Sequence, residues 1–283
     1  MKFRIPHFWE PEETVGSLWH DAIDAMDAEP HFAESIVAYD RVKASVGLVF
    51  RALGGATGTE IMPLANTIAR NRMSARRKLA HDVDRVTRAR FDGEKLLMPA
   101  EIGLFARPEL AEALYLYLAA LAAVIEPPKV EEEDLFRRDI AALRHIHRAE
   151  SRLLTAHPGA VQLRAMLAPE LLALRPKQEL PEQEAMIEAA IRILLGAEGA
   201  GNAVLAAIEG DETPADLIAG DEYCTFRPVA LWPELAAPQA VDTTARDDNP
   251  QHGGNSARTD RKRAVRPREG GIYRRRSPPT GAL

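Results

Sequence analysis

"FDGEKLLMPAEIGLFARPELAEALYLYLAALAA", residues 91–123, decides the fold. It opens with the end of "TRARF", which alternates apolar and polar side chains, and Asp92-Gly93 follows as a two-residue turn before "EKLLMP". Asp-Gly between such segments is the strongest short hairpin signal, because glycine adopts the positive φ that tight turns need. The stretch then closes on "LYLYLAALAAVI", an apolar run at 114–125 that is too short to span a bilayer and reads as a buried helix. One small β-hairpin near 86–98 feeding a core helix is therefore the centre of the chain.

Outward from this centre the pattern is helical. In "PEETVGSLWHDAI", residues 11–23, Pro11 suits a first helical turn, and Glu12 and Glu13 favour the positive end of the helix dipole. Val15, Leu18, Trp19, Ala22, Ile23 and Met26 recur every three or four residues as one apolar stripe, the mark of a core-facing helix. Glu12, Glu13 and His20 lie on its polar edge and are candidate partner-binding residues. A second helix is expected near 38–53, with Val42, Val46, Val49, Phe50 and Leu53 inward and Gly54-Gly55 as its stop. A third is expected near 63–82. Its Arg70, Arg72, Arg76, Arg77 and Lys78 make either a solvated basic face or a grip for phosphates or an acidic partner.

Beyond the core helix, acids at 131–134 start a long helix reaching Ala156, which stops at His157-Pro158-Gly159. Helices near 160–174 and 181–195 follow, with Pro176 and Pro181 between them, and a shorter one is placed near 200–209. After about residue 233 the composition turns to Pro, Gly, Asp, Thr and Arg without apolar periodicity, which predicts a disordered basic tail over 236–283. The expected architecture is thus predominantly α: a multi-helix domain over 1–235 with one hairpin, and a tail.

Composition narrows the function class. Hydrophobic residues make up 46 % of the 283, charged residues 28 % and aromatics 6 %, a globular mix built on aliphatic side chains. Cys224 is the lone cysteine, so no internal disulfide forms and a reducing compartment fits. The first residues, "MKFRIPHFWEPEE", lack the apolar run of a signal peptide, which predicts a cytoplasmic protein. The net charge of −6 is uneven. Nine basic and two acidic residues in 257–283 make a local +7, and the first 256 residues hold 27 basic against 40 acidic side chains, about −13. An acidic body argues against a nucleic-acid-binding domain.

Catalytic signatures are missing from the sequence. "GGATGTE" at 54–60 lacks the Gly-Lys-Ser/Thr ending of a phosphate loop, and no Gly-x-Ser-x-Gly elbow occurs. His145 and His147 diverge by about 200° on a helix and cannot share an ion unaided. The pairs His147/Glu150 and His31/Glu34 reverse the Glu-x-x-His order of helical di-iron sites. No metal, cofactor or catalytic residue is assigned.

Four segments carry a family resemblance: "EPEETVGSLWH" (10–20), "VFRALGG" (49–55), the opening stretch (91–123), and more weakly "FRPVALWPE" (226–234). In order and spacing they resemble the N-terminal region of the NorD/CbbO family, large proteins with a C-terminal von Willebrand A domain that work with MoxR-type AAA+ ATPases. The resemblance implies a non-enzymatic adaptor for such an ATPase in activating a metalloenzyme, nitric oxide reductase for NorD-like members or Rubisco for CbbO-like ones. The acidic body and the short apolar run at 114–125, for their part, predict no nucleic-acid partner and no membrane insertion. The charged linker of the family is matched by "ARTDRKRAVRPRE", after which "GGIYRRRSPPTGAL" holds neither a von Willebrand A domain nor its Asp-x-Ser-x-Ser loop, the pattern expected of a truncated or frame-shifted form. A helical metal-binding or catalytic protein with a cryptic site is the alternative of another class, separable by metal analysis.

Overall fold

In the computed structural model the described residues are 29–64, 67–69, 84–128, 132–175 and 177–236. All fall within one compact unit, Met1–Ala240. The candidate residues Glu12, Glu13 and His20, the basic cluster from Arg70 to Lys78, and the tail lie outside them.

Helix α1 is Tyr39–Ala52, and it buries Tyr39, Val42, Val46 and Phe50 on one face. It ends where the sequence placed its stop. Gly54 takes φ 95°, its N–H reaches the Arg51 carbonyl, and the Gly55 N–H reaches that of Phe50. That pair of bonds is a Schellman motif, which needs the left-handed backbone glycine tolerates.

The hairpin is β5, Arg90–Phe91, antiparallel to β6, Lys95–Pro99, with Arg90 opposite Leu97 and Phe91 opposite Leu96. Its turn sits one residue later than the dipeptide suggests. The Asp92 N–H bonds the Lys95 carbonyl, so Gly93 (φ 95°) and Glu94 are central. The Asp92 carboxylate fills the corner, accepting from the Glu94 and Lys95 amides at 2.9 and 2.7 Å.

The hairpin is not isolated. β2, Glu60–Leu64, pairs parallel with β6, and β8, Glu234–Leu235, pairs parallel with β5, giving a four-stranded sheet in the order β2-β6-β5-β8. Two further pairs are antiparallel: β1 (Val37–Ala38) with β7 (Glu101–Ile102), and β3 (Thr67–Ala69) with β4 (Asp84–Val86). The helix expected to begin near 63 is therefore corrected, since 60–64 and 67–69 are strands. Backbone pairing with β6 and β4 overrides the local helical spacing.

Helix α2, Pro108–Val124, is the core: eleven of its residues are buried, from Leu110 to Ala122. A helix apolar all round must be packed all round. Its alanines let α1, α3 and α4 approach closely, and the Tyr115 hydroxyl donates to the Pro99 carbonyl at 2.8 Å, fastening helix to sheet. The rest of the helical layer is α3 (Leu135–Ala156), α4 (Pro158–Ala173), α5 (Glu182–Leu194) and α6 (Ala203–Glu209). Asp134 caps α3 through the Arg137 amide and Asn202 caps α6 through the Leu205 amide. Pro169 sits inside α4 with its ring on the exposed side. Among the described residues no helix is long and apolar enough to cross a membrane.

Candidate functional site

Residues 210–233 have no regular secondary structure, yet Leu217, Val229, Ala230, Leu231 and Trp232 within them are buried. So long an irregular segment needs its backbone groups satisfied by something other than a ladder. Side chains of the helices supply the partners, one after another.

On α3, Arg148 donates to the Gly210 carbonyl at 2.7 Å and Arg137 to that of Pro214 at 3.1 Å. Arg144 bridges the Ala207 carbonyl and the Thr213 hydroxyl, both at 2.7 Å through the same nitrogen. The second oxygen of the capping Asp134 accepts from the Ala219 amide at 2.9 Å. Burial alone would raise the Asp134 pKa, but the amides of Arg137, Ala219 and Phe136 hold it below the usual value. From α5, Gln183 grips the Ile218 carbonyl (2.6 Å) and the Gly220 amide (2.8 Å), and Glu184 accepts from the Cys224 amide at 3.2 Å. Asp139 takes the Tyr223 hydroxyl at 2.6 Å, and Tyr223 meets the Phe136 ring edge-on at 5.1 Å. Arg175, after α4, reaches the carbonyls of Arg227 and Pro228 at 2.8 and 3.2 Å. The segment is thus a strap, fixed across the helices and ending as strand β8 on the sheet.

Two buried ionic clusters stiffen the frame. Arg175 binds Glu188 with two nitrogens, at 3.1 and 2.5 Å, and Arg192 shares the Glu188 carboxylate at 3.0 Å. Between α2, α3 and α4, Tyr117 donates to Glu150, whose same oxygen lies 3.2 Å from the Arg164 guanidinium. Burial, and then the Glu150 charge, push the Tyr117 pKa up, so its proton stays on. Glu150 is therefore committed to structure and not to the His147 pairing weighed from sequence. His145 is half-buried with its pKa lowered, by burial first and then by Arg148 and Arg144.

Among the described residues no group of three or more His, Cys, Asp or Glu side chains could hold a metal ion. A cavity of about 120 Å³ is lined by Glu29, His31, Thr87, Glu101 and Gly103. Pockets for drug-sized organic ligands usually measure several hundred Å³, well above this volume.

No family model and no solved structure matches the chain. Curated proteins do. It is 32 % identical over 277 residues to Protein NorD of Brucella suis biovar 1, covering 96 % of this chain and 42 % of that one. The chain is homologous to NorD proteins. A NorD from Stutzerimonas stutzeri is 29 % identical over 187 residues, 64 % of this chain and 28 % of its own length. An uncharacterized protein of Pseudomonas aeruginosa is 30 % identical over 194 residues, covering 67 % and 29 %. The chain thus spans less than half the length of these relatives. In the Brucella alignment the unmatched remainder is smaller than either end of this chain outside the described residues, so the NorD similarity reaches into both ends.

Sequence reading missed the residues that organise this NorD-like region. A signal for them exists: Asp139 and Glu150 on α3, and Glu184 and Glu188 on α5, each occupy an apolar-face position. A buried acid demands a partner, and that marks the position before the partner is known.

Proposed function

We propose that this chain is a non-enzymatic accessory protein, an adaptor that meets a MoxR-type AAA+ ATPase in the activation of nitric oxide reductase. The observation that carries the reading is the homology to NorD proteins along 96 % of the chain. The named relatives are NorD proteins, which favours the reductase over Rubisco as the activated enzyme. The architecture is compatible with it, a helical frame whose buried Asp139, Glu150, Glu184 and Glu188 are taken up in holding the fold.

The acidic body supplies the recognition term. Complementary charge speeds encounter and selects partners, and salt screens it within about 10 Å at 0.1 M. Size-exclusion chromatography of the purified chain with a MoxR-type ATPase from the same organism tests the partnership. A complex at low salt that dissociates as salt rises is expected, and separate elution at low salt would overturn the adaptor reading. Deleting the gene should leave nitric oxide reductase synthesised but inactive, and full reductase activity in the deletion strain would overturn the choice of target.

A further inference from the structure

Asp139 and Glu150 on α3, and Glu184 and Glu188 on α5, are buried acids. Glu150 pairs with the Arg164 guanidinium, and Glu188 with those of Arg175 and Arg192. Asp139 is held differently. The Tyr223 hydroxyl at 2.6 Å and the Phe226 amide bond its carboxyl, both from the strap, and the Arg138 charge acts on it without a salt bridge. A buried carboxylate without a bonded cation is costly to ionise, whereas the neutral acid is not.

The strap is anchored on either side of this point. Upstream, Arg144 holds the Thr213 hydroxyl and Arg137 the Pro214 carbonyl. Downstream, Arg175 holds the carbonyls of Arg227 and Pro228, and Val229 to Trp232 are buried. Between the anchors, residues 218–226 include no buried one. Their amides reach the helices singly, Ala219 to Asp134, Gly220 to Gln183 and Cys224 to Glu184, without a strand ladder. Segments with few buried apolar contacts open at a lower free energy than the core does. Of the cover over Asp139, this part lifts without unwinding a helix.

We propose that residues 218–226 are a latch over α3, closed while the Asp139 carboxyl carries a proton and released as it ionises. The neutral acid pairs with Tyr223 at little desolvation cost. The anion draws water, and lifting the segment that carries Tyr223 and Phe226 admits it. The groups around Asp139 leave this direction unchanged. Arg138, on its own helix, favours the anion, but desolvation outweighs it and holds the pKa up at about 6. Glu184 of α5 adds like charge beside Tyr223, and burial, then the charges of Asp139, Glu184 and Cys224, keep the Tyr223 proton on. With the latch lifted, Asp139 titrates as an ordinary aspartate near 3.8.

Hydrogen exchange of the full chain at pH 5 and pH 7, with each amide corrected for its intrinsic rate, tests the latch. The Ala219, Gly220 and Cys224 amides should exchange faster than the core amides of α2 at both pH values. Their protection should fall about tenfold from pH 5 to pH 7, as the closed state loses its bound proton. Asp139→Asn keeps an acceptor for Tyr223 and removes the charge, so the fall should vanish in it while α2 stays protected. Tyr223→Phe removes the bond that closes the latch, and should lower protection of the same three amides at both pH values. Exchange of these amides at the α2 rate would overturn the proposal, because the strap would then open only with the whole fold. A pH-dependent loss that persists in Asp139→Asn would overturn it too, as would unchanged protection in Tyr223→Phe.

Discussion

The Tyr223 hydroxyl donates to Asp139 Oδ2 across 2.6 Å, joining the middle of the strap to the buried face of α3. The acid is 8 % exposed, and burial pushes its pKa up to about 6 although Tyr223, Arg138 and the Phe226 amide all favour the anion. Desolvation wins because nothing at this position supplies a full salt bridge.

A pH dependence follows from that shift. Unfolded, Asp139 titrates near 3.8; folded, near 6. Between these values the native chain binds a proton that the unfolded chain has lost, so stability from this group is complete below about pH 4 and is lost as pH rises through about 6. The size is on the order of 3 kcal/mol. Urea melts at pH 4 and pH 7 on the unaltered chain and on Asp139→Asn measure it as a difference of differences. Equal pH dependence in the two proteins would refute the assignment.

Arg175 is the second test. Its fork holds Glu188 from one side and two strap carbonyls from the other. Arg175→Ala should cost roughly 3–5 kcal/mol, since it leaves a buried carboxylate with only Arg192. Arg175→Lys should recover little of this, because an ammonium cannot reproduce the bidentate geometry. A loss below about 1 kcal/mol in denaturant melts would mean that the pair is solvated.

Trp232 is 4 % exposed, and its indole N–H has no hydrogen-bond partner among the described residues. Trp232→Ala should destabilise by about 3–5 kcal/mol through the cavity it leaves. Trp232→Phe should cost only about 1–2 kcal/mol, because no hydrogen bond is broken and much of the volume remains. Thermal melts of the two variants side by side check the ratio, and equal losses would show that the indole N–H is bonded after all.

The stop after α1 separates strain from space. At Gly54, with φ 95°, an added Cβ meets nothing within 4 Å. Gly54→Ala should therefore cost about 1 kcal/mol, the conformational term alone. At Gly55 an added Cβ would lie 2.3 Å from the Phe50 ring. Gly55→Ala should cost more, about 1–3 kcal/mol, since the fully packed ring must move. Chemical denaturation that ranks Gly54→Ala as the worse of the two would contradict this.

The helical layer was legible from residues 39 to 209 because its signals are local. Val42, Val46 and Phe50 mark α1 by spacing, Gly54 marks its end, the apolar run at 114–125 marks α2, and the acids at 131–134 mark the start of α3. The hairpin was equally legible in Asp92-Gly93, to within one residue of its turn. Each of these rests on interactions between residues a few positions apart, which a sequence displays directly. Tertiary structure decided the rest. It made strands of Glu60–Leu64 and Glu234–Leu235, whose partners β6 and β5 lie far along the chain. It also made a strap of 210–233, where Asp139 meets Tyr223 across 84 positions and Arg175 meets Arg227 across 52. Helical periodicity says which side of Asp139 and Glu188 is buried, but not what satisfies them there. A buried charge takes its partner from whichever chain segment folding brings within hydrogen-bond reach, and no local pattern encodes that separation.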